Sequence, residues 1–168
     1  MYTSPKAEIA MKTLTRRRQF LQWLTAATGL AALPRVADAQ MIDRELLGEP
    51  DHKLVYQFNK ADPDYMNHVL FSVGAMLREH GDNIHIVVTA IGPGIHVLGK
   101  IPGRPISDAI HKRVESLSVY GVSFHACGNT MKTLNWTEAD MLEFVEVVEV
   151  GANDLMLLQE KGYSYISW

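Results

Sequence analysis

Between residues 53 and 167 the apolar positions switch repeatedly from the period of a strand to that of a helix. KLVYQF (53–58) reads as a first strand. Asp62 is placed to cap a helix with Pro63 at its first position, where a missing N–H costs nothing. That helix gathers Val69, Leu70, Val73, Met76 and Leu77 on one face and stops at Gly81. IHIVVTAI (84–91) is a second strand, apolar for most of its length, as burial on both faces of a parallel sheet requires. It runs into a Gly92-Pro93-Gly94 turn and an irregular connection rich in Gly and Pro, after which Ser107 or Asp108 caps a second helix carrying Ile110, Val114 and Leu117.

VSFHA (122–126) is a third strand leading directly into Cys127, and NTMKTLNWTEADM (129–141) reads as a short helix and turn with Thr137 as a cap. FVEVVEV (144–150) alternates as a fourth strand. Asn153 is placed to cap a last helix, DLMLLQEK (154–161), closed by Gly162, and YSYIS (163–167) is a final short strand. Strand and helix thus alternate throughout, which predicts a single three-layer α/β domain over residues 52–168 with an about five-stranded, mostly parallel sheet.

The first 39 residues follow a different logic. TRRRQFL (15–21) precedes an uncharged, mostly apolar segment and then VADAQ, the layout of a basic region, an apolar region and an Ala-x-Ala cleavage site at Ala37 and Ala39. The apolar stretch falls short of the ~20 residues that span a bilayer, so a cleaved export signal is expected over 1–39, followed by a lead-in at 40–51. Arg16, Arg17, Phe20 and Leu21 resemble the twin-arginine export signal, which implies a periplasmic protein that leaves the cytoplasm already folded and has no membrane association after cleavage. Met11 is as natural a start as Met1.

Of 16 basic and 19 acidic residues, six basic and two acidic lie in 1–39, so 10 and 17 remain and the mature net charge is −7. Nucleic acid is thereby disfavoured as a partner, because its binding needs a basic footprint. The seven histidines show no metal-ligand spacing, and no cofactor motif, nucleophilic serine elbow, phosphate loop or paired-carboxylate motif is present. The Gly92-Pro93-Gly94 run lacks the third glycine of a dinucleotide fingerprint.

Chemistry in an open α/β sheet gathers beyond the carboxyl ends of its strands. Three segments meet that condition: one around Asn59, one from Gly92 through Gly94 to His96, and one from Cys127 through Gly128, Asn129 and Thr130. Cys127 is the only cysteine, so no intramolecular disulfide is available to it. Backbone N–H groups at 128–130 would favour a thiolate, yet free Cys is also among the most buried residue types, and both readings stand. His125 shares a strand face with Cys127, and His96 is placed to approach it from the neighbouring loop; either could tune the thiol, and either could be a packed histidine.

VSFHACGNTMK, VVTAIGPGIHVL and VEVGANDLMLLQEKGYSYI, in that order and spacing, resemble the DsrE/DsrF-like family over most of residues 52–167. The resemblance implies a compact α/β sandwich assembled as a homo-oligomer, a trimer or hexamer. It also implies a cysteine at position 127 that carries sulfur as a persulfide, with a sulfur donor or acceptor protein or a small sulfur compound as partner and no cofactor. A sulfurtransferase-like sulfur carrier is the leading expectation. A non-catalytic binding or assembly module and a thiol redox sensor are the alternatives.

Overall fold

The computed structural model describes residues 48–168. The export-signal residues Arg16, Arg17, Phe20, Leu21, Ala37 and Ala39, and most of the lead-in, lie outside the described residues.

The five period-two runs form β1 (His52–Phe58), β2 (Ile84–Ala90), β3 (Ser123–Cys127), β4 (Val145–Val148) and β5 (Ser164–Ile166). They join one sheet in the order β4-β3-β2-β1-β5, and every pairing is parallel. Between them run α1 (Pro63–His80), α2 (Asp108–Val119), α3 (Gly128–Leu134) and α4 (Gly151–Glu160). Local chemistry sets the ends of α1 and the start of α2. The Asp62 carboxylate accepts from the Tyr65 N–H at 2.9 Å, Gly81 ends α1 at φ 56°, and the Ser107 side chain accepts from the Ile110 N–H.

Alternate residues of each strand separate two cores. Tyr56, Phe58, Ile86, Val88, Phe124 and Ala126 pack with α1 and α2 on one face, joined by Met131 of α3. Val55 and Val87 meet Leu155 and Leu158 of α4 on the other. The division follows from strand order. From β1 to β4 the chain advances in one direction across the sheet, then it returns from that edge to the opposite edge to form β5. Right-handed crossovers that advance and return must lie on opposite faces, so the last helix is alone on the second face.

Three details depart from the sequence reading. The connection after β2 is not irregular at its start, because residues Gly92–Leu98 wind into a 3₁₀ helix whose Gly94 to Leu98 are buried. Asn153 does not cap the last helix, which begins two residues earlier at Gly151 with Val150 in the cap position. The fourth strand ends at Val148 rather than Val150, because the chain must turn there to place Gly151 against β3.

Gly94 is fixed by this packing and not by a ligand. A Cβ there would overlap the Phe58 carbonyl oxygen and lie 2.6 Å from its carbon, which is backbone that cannot yield. Gly94→Ala is therefore expected to destabilise the fold by about 3 kcal/mol or more, read as a shift of the urea unfolding midpoint. An unchanged midpoint would refute the close approach.

Candidate functional site

The adjacent strands β3 and β4 continue onto opposite faces of the sheet, β3 into α3 and β4 into α4. Such a divergence opens a crevice beyond the strand ends, and Cys127, the last residue of β3, lies at it beside its register partner Val148. The thiol is 4% exposed. Its Sγ accepts a hydrogen bond from the Gly151 N–H at 3.3 Å, the first amide of α4. A Cβ at 151 would come 2.8 Å from Ile91 Cγ1 and 3.0 Å from Cys127 Cβ, so a larger residue there would push these side chains aside.

Burial acts to raise the Cys127 pKa. Opposing it are the Thr130 hydroxyl and the N–H groups of Gly151, Thr130 and Asn129, and together they leave the thiol below its ordinary value. Thr130 is set for this role by a second contact. Its Oγ1 accepts from the Gly92 N–H at 3.0 Å, which leaves the hydroxyl proton for the sulfur. Asn129 acts least, since its N–H also donates to Glu149 O at 3.2 Å.

His125 faces the same layer as Cys127 but is engaged elsewhere. Its Nδ1 donates to Asp154 Oδ2 at 2.9 Å, and the Thr89 hydroxyl donates to the same oxygen at 2.8 Å. Thr89 and His125 are register partners on β2 and β3, so two adjacent strands hold one carboxylate from the first turn of α4. Burial acts to raise the Asp154 pKa, but the hydrogen bond and charge of His125 and the Thr89 hydroxyl lower it below the ordinary value. This clasp fixes the turn that carries the Gly151 N–H.

His96 reaches the crevice from the 3₁₀ segment. It and Cys127 line a cavity of about 480 Å³, together with Gly92, Asn129, Thr130, Thr133 and Arg104 among apolar walls that include Ile91, Leu134 and Val150. The imidazole is 5% exposed, edge-on to Trp136 with ring centroids 5.1 Å apart. Burial and then the nearby Arg104 cation lower its pKa, so the ring is neutral at pH 7. Its Nδ1 accepts from the Gly103 N–H at 3.2 Å, which puts the ring proton on Nε2.

Of the residues singled out in the sequence, Cys127, His96, Gly92, Asn129 and Thr130 line this cavity. Gly128 abuts it for a packing reason, since a Cβ there would press on the carbonyls of Val148 and Glu149. Asn59 is not part of it; its N–H donates to the Tyr65 hydroxyl at 3.1 Å, and with Gly94 it belongs to the packing of β1 against the 3₁₀ segment. Gly151, Asp154, Thr89 and Arg104 were not singled out. The first two stand in VEVGANDL, where a glycine two residues before a capping-type Asn and three before an Asp was the available signal. Among the described residues no cluster of His, Cys, Asp or Glu could hold a metal, and no helix is long and apolar enough to cross a membrane.

A family model, the DsrE/DsrF-like family, matches residues 51–168. Among solved structures, a protein of unknown function from Methanobacterium thermoautotrophicum, MTH1491, is 26% identical with a TM-score of 0.63, the alignment covering 70% of this chain and 100% of that one. The ychN protein from E. coli is 14% identical with a TM-score of 0.58, covering 70% and 99%, and shares the fold. No curated protein matches the chain.

Two outcomes are expected from this geometry. Thr130→Val removes the hydroxyl that donates to Sγ, so the Cys127 pKa rises, read as an upward displacement of the pH profile of iodoacetamide alkylation; an unmoved profile counts against the hydroxyl's role. Asp154→Asn weakens the clasp and costs on the order of 2 kcal/mol at pH 7. Because the folded-state pKa of Asp154 is depressed, that contribution is complete above the unfolded value of about 4 and is lost as pH falls through the folded value. Wild type and variant should therefore converge in acid, and a stability gap that persists there contradicts the assignment.

Proposed function

The chain belongs to the DsrE/DsrF-like family, and we propose that it carries sulfane sulfur as a persulfide on Cys127. The observation that supports this most is the thiol's setting: it is buried at the strand-end crevice, yet side-chain and backbone donors favour its anion and it forms part of a cavity wall. A thiolate so held can attack the outer sulfur of a donor R–S–SH. The donor's S–S bond breaks, R–S⁻ leaves with the electron pair, and Cys127 retains the S–SH group. Handing the outer sulfur to an acceptor thiolate reverses the same exchange, with no net oxidant or reductant.

His96 serves this chemistry as a neutral donor through Nε2–H rather than as a base for the thiol. The Asp154 clasp makes His125 a positioning group. We infer further that the protein works as a homo-oligomer outside the cytoplasm, its signal removed after Ala39. That reading is supported by the residue pattern at 15–40 and by the family resemblance.

The 4% exposure of Cys127 favours a second reading, in which the thiol only packs and the domain binds or assembles. One experiment separates them. The protein isolated from its producing cell is incubated with inorganic polysulfide and its intact mass measured. One added sulfur is expected, absent in Cys127→Ser, on a chain that begins at Gln40. An equal mass gain in the two forms, or none in either, would remove the carrier reading, and a chain retaining residues before Gln40 would remove the processing reading.

A further inference from the structure

The cavity at Cys127 is chemically one-sided. Among the described residues, Arg104 is the single charged side chain in its wall and no carboxylate lines it. His96 adds a second feature that its packing does not use. The ring is 5% exposed and wedged between Trp136 and the Gly103 backbone, where a Cβ would lie 3.1 Å from His96 Cε1. Its Nδ1 is taken by the Gly103 N–H, whereas Nε2–H has no hydrogen-bond partner among the described residues. A donor on a ring held so rigidly, with no protein partner and facing an open cavity, is available to an acceptor atom on a guest. Arg104 lines the same cavity, so both donors face one guest.

The guest must also be small. About 480 Å³, rimmed by the exposed residues Pro93, Arg104, Asn129, Thr133, Val150 and Ala152, has room for a small molecule but not for a folded partner to enter. The sulfur it delivers must reach Sγ, which lies in the same wall.

The geometry points to a small anionic sulfane-sulfur compound as the donor, its oxyanion end bound by Arg104 and the His96 Nε2–H and its outer sulfur directed at Cys127. This rests on the persulfide reading above and names the substrate class of that site. Thiosulfate represents the class. The Cys127 thiolate attacks its outer sulfur, the S–S bond breaks, sulfite leaves with the bonding pair, and Cys127 becomes a persulfide anion; three negative charges enter the step and three leave it. Two anions meet in this reaction, and without a cation their repulsion would slow it. Arg104 provides that cation, with a planar fork suited to an oxyanion.

The test compares two probes on the full protein, thiosulfate and a neutral dialkyl trisulfide R–S–S–S–R, whose terminal sulfur the thiolate attacks to give Cys127–S–S–R while R–S–S⁻ leaves, so that the trisulfide reports the general reactivity of the thiol. Loading of Cys127 is read by intact mass, and sulfite release is measured in parallel for thiosulfate. Wild type is expected to load from thiosulfate with one sulfite released per sulfur gained. Arg104→Ala should lower the preference for thiosulfate over the trisulfide at least tenfold, and Arg104→Lys should recover part of it. A preference unchanged in Arg104→Ala overturns the assignment. Sulfur gained from polysulfide but not from thiosulfate overturns the oxyanion donor while the persulfide carrier stands. No sulfur gained from thiosulfate or from polysulfide overturns both.

Discussion

At β4 the chain reverses direction across the sheet, and the arrangement around Cys127 follows from that reversal. Parallel strands joined by right-handed crossovers cannot return across a sheet on the face they used to advance. The last helix is thereby committed to the face opposite α1 and α2, and its first turn is brought over the carboxyl end of β3. The thiol does not depend on one helix terminus. It lies where α3 leaves toward one layer and α4 enters the other, so amides from both segments point at one sulfur. Glycine at 151 permits that approach without displacing Ile91 or Cys127, and the clasp on Asp154 holds the turn in place.

That grip joins both ends of one hydrogen-bond network. Asp154 bridges β2 and β3 through Thr89 and His125, three residues after the amide that donates to Cys127. Buried polar groups are costly unless satisfied, and here each satisfies the next: the threonine and histidine lose water but gain a carboxylate, and the carboxylate gains two donors. The same network explains why a histidine two residues from the cysteine is not its base. Strand alternation gives the two side chains one face, but a residue from α4 occupies the histidine first.

Much of the frame was legible in the sequence because it is local. The Asp62-Pro63 start of α1, its end at Gly81, the Ser107 cap of α2 and the five strand runs each depend on residues within a few positions. Cys127 and Thr130 were legible for a related reason, since a thiol at a strand end with amides after it is a short-range pattern. Gly151, Asp154, Thr89 and Arg104 acquire their roles only when elements distant in sequence are packed together. Gly92-Pro93-Gly94 shows the limit most clearly. Its glycines read alike, but Gly92 takes a positive φ of 53° and donates to Thr130, whereas Gly94 has no freedom of that kind and is required by the Phe58 backbone.

Burial and donation oppose each other at the sulfur, and the opposition suits exchange chemistry. Donors acting on an exposed thiol would make it strongly acidic and, by the same measure, a weaker nucleophile, because the thiolate's reactivity falls with its pKa. Burial alone would keep it protonated and inert. With both present the thiol is lowered only by the excess of donation over desolvation, so it retains nucleophilicity while gaining anion. The persulfide proposed for Cys127 would be an anion in the same setting, met by the same amides. Release from it would need an acceptor thiolate brought to the outer sulfur through the cavity, the side of the wall on which Cys127 lies.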